Sequence, residues 1–97
     1  MSTEVMRQVI DLITAEWADK GKIIEGGWQA FVEVGGLRNA PEQQLRDMRK
    51  VYMLGAQHLY ASIMGVLDPG EEPTERDLHR LSLIHEELER FRKSLVN

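Results

Sequence analysis

Three histidines, a serine four positions from one of them and several neighbouring carboxylates are the side chains with the means to do chemistry in this chain. His79 and His85 stand six apart in one helical pattern, which points them to different faces. A helical metal pair needs a spacing of three or four. His85 does have Glu89 four residues on, but it borders an apolar seam and reads as a local hydrogen bond. His58 lies in a strip of mostly small residues, Val51, His58, Ser62 and Gly65. That strip is either a groove where a ligand or partner closes in or a simple small-residue helix contact. Ser62 with His58 is no hydrolytic pair, because a nucleophilic serine needs a strained, exposed turn and Ser62 sits in a regular helical pattern. Glu71–Glu72 and Glu86–Glu87 read as solvated turn and helix charges. The glycine pairs follow no strand, so they form no phosphate-cradling loop. The residues assign no catalytic group, no metal ligand and no cofactor, and the chain reads as a non-enzyme.

Charge placement bears on partners. The chain has 97 residues and a formal charge of −4. The segment from Asp68 to Asp77 holds Asp68, Glu71, Glu72, Glu75 and Asp77 against Arg76 alone, so this one turn carries the whole imbalance. A global basic field for nucleic acid is absent. The alternative nucleic-acid contact is the local cluster Arg38, Arg46, Arg49 and Lys50, diluted by Glu42 and Asp47. There is no cysteine, hence no disulfide, which fits a reducing cytoplasm. Glu4 and Arg7 stand where a signal peptide needs an apolar run. The apolar run Tyr60 to Leu67 is far below the ~20 residues that span a bilayer, so no membrane partner is expected.

The stretch Pro41 to Leu67 positions most of these residues. It reads as one helix, with Leu45, Met48, Tyr52, Ala56, Leu59, Ile63 and Leu67 on its main face. Met53, Tyr60 and Met64 flank that face, and Leu54 adds apolar surface beyond it. Methionine and tyrosine on a helix flank suit protein–protein contact. Met53, Leu54, Tyr60 and Met64 are therefore the expected interaction surface, joined by Leu83, which points off its own helix's main face. Gly55, in mid-helix, predicts close approach by another helix, with Trp17 or Trp28 over the gap.

Before it, Met6, Val9, Ile10, Ile13, Trp17, Ile24, Trp28 and Phe31 share one helical face across Gly21. That register favours one long helix over residues 3–34, kinked or weakened between Gly21 and Gly27, against two separate helices. Gly35–Gly36 closes it. Asn39, with Glu42 three residues on, predicts the cap of the middle helix. Asp68-Pro69-Gly70 stops that helix, and Thr74 with Asp77 caps the last. Leu81, Ile84, Leu88, Phe91 and Leu95 recur at spacings of 3, 4, 3 and 4, a seam that predicts packing along a roughly antiparallel partner, with fraying at Val96–Asn97. The reading is an all-α, three-helix up-down-up bundle forming a single domain over residues 1–97.

Residues Met48 to Leu88, MRKVYMLGAQHLYASIMGVLDPGEEPTERDLHRLSLIHEEL, resemble a group of small helical proteins encoded in bacteriophages and prophages. The likeness is carried by Gly55-Ala56 after an aromatic, Tyr60, Ile63-Met64 and Leu67-Asp68-Pro69-Gly70 through Asp77-Leu78. Lys22 to Trp28, KIIEGGW, is similar to the stretch that precedes it in such proteins. The resemblance implies a phage or prophage accessory protein in a bacterial cytoplasm, acting by binding a host or phage protein. With the surplus apolar flank, the expectation is a helical interaction protein that forms a homodimer. A small nucleic-acid-associated regulator is the alternative.

Overall fold

The computed structural model describes residues 2–95, and these are helical throughout apart from turns: α1 Thr3–Ala18, α2 Ile23–Val34, α3 Glu42–Val66 and α4 Glu75–Ser94. The all-α class holds, but four helices replace the expected three. The first helical region is two helices, because Gly21 closes α1. Its φ is +76°, its N–H donates to the Ala18 carbonyl, and the Lys22 N–H donates to the Trp17 carbonyl. This paired hydrogen bonding around a left-handed residue ends a helix, and glycine adopts it without Cβ strain. α2 closes the same way at Gly36, where Leu37 N–H reaches the Val32 carbonyl.

The chain divides into two compact units, Met1–Leu59 and Tyr60–Asn97. In the first, α1 packs extensively on α2. The contact is close because residue 26 is glycine: a Cβ there would lie 2.6 Å from Trp17 Cβ and 3.2 Å from the Thr14 carbonyl oxygen. A Cβ on Gly27 would run into the Tyr52 hydroxyl of α3. The adjacent glycines thus admit α1 and α3 to two sides of α2, and no kink is involved. Trp28 and Ala30 are the only buried hydrophobic residues among those described.

The second unit holds the last two turns of α3, the turn after it and α4. α3 is a single helix as read, starting at Glu42, with the Pro41 carbonyl accepting from Leu45. Pro41 therefore stands where Asn39 was expected to cap. Thr74 caps α4 in the expected capping box with Asp77. The only buried residue described in this unit is Asp77, a carboxylate, at 3% exposure. The α4 seam is not packed along a partner helix as expected: Leu81, Leu88, Phe91 and Leu95 are exposed. The fraying expected at Val96–Asn97 lies outside the described residues.

Candidate functional site

α2 and α3 build an aromatic cluster in the first unit. The Trp28 ring centroid lies 5.8 Å from that of Phe31 and 5.7 Å from that of Tyr52, and Phe31 and Tyr52 are 6.3 Å apart, all tilted. Rings in this range attract beyond their area burial. Beside them Asp47, Met48 and Val51 complete an apolar depression of about 420 Å³. Burial pushes the Tyr52 hydroxyl pKa up. α2 and α3 are also tied by Glu25, which accepts from Arg49 Nη2 at 2.6 Å and Gln29 Nε2 at 3.0 Å. Burial pushes the Glu25 carboxyl up, yet the Arg49 and Gln29 hydrogen bonds and the Arg49 charge outweigh it and leave its pKa lowered. Sequence patterning placed Trp28 and Tyr52 on apolar faces but did not bring them together.

The expected interaction residues divide between the units. Met53 is half-buried and Leu54 exposed in the first, where they line a shallow depression of about 430 Å³ with Arg46, Arg49, Lys50 and Gln57. Tyr60 and Met64 are exposed in the second. In the small-residue strip, Val51 turns to the aromatic depression, while His58, Ser62 and Gly65 are exposed, and neither His58 nor Ser62 is without a partner. Gly55 does not mark a helix contact, since a Cβ there would meet nothing within 4 Å. Trp17 instead lies against Gly26 and Trp28 against Tyr52.

The basic cluster is largely neutralised by neighbours. Arg38 pairs with Glu33, Arg49 with Glu25, and Arg46 lies 3.7 Å from Glu42 and donates to Gln43 Oε1 at 2.7 Å. Lys50 is exposed beside them. Three of these four cations already hold acceptors, so a phosphate would have to displace them.

The second unit is organised by Asp77. Its Oδ1 accepts from the Asp68 N–H at 2.9 Å and its Oδ2 from the Thr74 N–H at 3.1 Å. The Thr74 hydroxyl accepts from the Asp77 N–H and donates to Asp68 Oδ2 at 2.7 Å. The backbone N–H of Asp68, then that of Thr74, hold the Asp77 pKa below its ordinary value. Arg80 donates to the Val66 carbonyl, a cation at the negative end of α3. This network fixes how α4 starts and is structural. Along α4 and its cap most apolar side chains stay open to water: Leu88 is 58%, Phe91 61% and Leu95 67% exposed.

Among the described residues, no group of three or more His, Cys, Asp or Glu is placed to hold a metal ion. Among the same residues, no helix is long and apolar enough to cross a membrane. No protein family, curated protein or solved structure matches this chain.

Proposed function

We propose that this chain is a non-enzymatic helical interaction protein that acts by protein–protein binding and self-associates as a homodimer. The observation that carries the reading is the second unit, where among the described residues no hydrophobic side chain is buried. Most helical stability in proteins comes from burying an apolar face, and this 20-residue helix leaves most of that face open. Apolar side chains exposed together on one helix face suit an interaction site, and Leu81, Leu88 and Phe91 are so exposed on α4. A second copy supplies cover without a further gene product. Tyr60 and Met64 extend the exposed apolar area of that unit onto α3, and Met53 with Leu54 offer a smaller one in the first unit. The stretch Met48 to Leu88 supports placing the protein among phage or prophage accessory proteins, and the lack of cysteine supports a bacterial or host cytoplasm.

The nucleic-acid alternative is the weaker reading, since Arg38, Arg46 and Arg49 are engaged by Glu33, Glu42 and Glu25. A sedimentation dilution series on the whole chain tests the proposal. Reversible association is expected. A monomer throughout the micromolar range would remove the homodimer from the reading.

A further inference from the structure

α4 carries a heptad seam that its own chain leaves open. With Leu81, Leu88 and Leu95 at a positions, Ile84 and Phe91 fall at d. Ile84 is half-buried and the other four are exposed. Beside the seam, Glu87 takes a g position, and His85 and Arg92 take e positions. Arg80, the preceding g residue, is already held by the Val66 carbonyl. Arg92 grips Glu89 through Nε and Nη2, at 3.4 and 2.9 Å, which leaves its Nη1 edge for a second carboxylate.

We propose that α4 packs against α4 of a second copy as a parallel, in-register two-stranded coiled coil, with Glu87 of each chain paired to Arg92 of the other. This rests on the self-association reading and names the face that performs it. The seam requires a partner with the same 3–4 spacing, and an identical helix has it. Charge then selects the direction. In a parallel pair a g residue faces the e residue five positions on in the other chain, so Glu87 meets Arg92 twice. The antiparallel arrangement that opposes Leu81 with Phe91 and Ile84 with Leu88 sets Glu87 against its own copy. Like charges there oppose assembly.

The test is sedimentation equilibrium on the full chain and three variants, with far-ultraviolet circular dichroism as the folding control. Leu88→Glu with Phe91→Glu abolishes the dimer while α1 to α3 stay helical, since both side chains belong to α4 and are exposed within one chain. Glu87→Arg turns two attractions into two repulsions and raises the dissociation constant about ten-fold, at a few tenths of a kcal/mol for each change. Glu87→Arg with Arg92→Glu restores it. A dimer that survives the Leu88/Phe91 change, or Glu87→Arg without effect, overturns the proposal while self-association stands. A monomeric parent chain overturns both.

Discussion

Gly26→Ala and Gly55→Ala make the same chemical change inside a helix and should move stability in opposite directions. At Gly26 the new Cβ would sit 2.6 Å from Trp17 Cβ and 3.3 Å from Thr14 Cα. Both atoms are fixed to the α1 backbone, so neither can swing aside and the helices must separate. Overpacking of this kind costs roughly 1–3 kcal/mol, against about 1 kcal/mol gained in helix propensity. The balance is a loss of about 1 kcal/mol. At Gly55 nothing lies within 4 Å, so the propensity gain of about 0.5–1 kcal/mol stands alone. The two variants should differ by about 2 kcal/mol, or roughly 8–16 °C in melting temperature for a chain of this size. Urea and thermal unfolding at one protein concentration read the difference. If both variants are stabilised alike, the close α1–α2 approach at Gly26 is wrong.

Three further outcomes follow from the same contacts. Gly27→Ala should destabilise through the Tyr52 hydroxyl, and adding Tyr52→Phe should recover much of the loss; an equal loss in both backgrounds would place the clash elsewhere. Asp77 has its folded pKa below its ordinary 3.8, so its stabilisation is complete above that value and is lost as pH falls through the lower, folded one. Amide-exchange protection at Asp68 and Thr74 should fall as pH drops below that ordinary value, and Asp77→Asn should abolish the dependence; the same pH profile in Asp77→Asn would refute it. Gel shifts at low salt should show no binding of nucleic acid, whereas salt-sensitive binding that vanishes on changing Arg46, Arg49 and Lys50 to glutamine would favour the alternative function.

Local signals in this sequence were readable and distant ones were not. The unbroken run from Glu42 to Val66 and the Thr74–Asp77 box depend on residues within a few positions of one another, and both form. The break at Gly21 was hidden because Trp17 and Ile24 are seven apart, so a four-residue connection preserves the register of a continuous helix. Close helix approach was expected at Gly55 from its place among good helix formers. It occurs at Gly26 and Gly27, whose neighbours across the gap, Trp17 and Tyr52, are known only once the chain has turned. The aromatic depression is hidden in the sequence for the same reason, since Trp28 and Tyr52 belong to different helices. The α4 seam was legible as a pattern, but a 3–4 spacing does not say whether its partner lies in the same chain.

Self-association is the claim on which the functional reading turns, and sedimentation equilibrium of the unmodified chain over a wide dilution series tests it most directly. The mass should rise reversibly from the 11.1 kDa of one chain toward twice that value as concentration increases through the micromolar range. A constant 11.1 kDa species at high micromolar concentration, with α4 still helical, would contradict it.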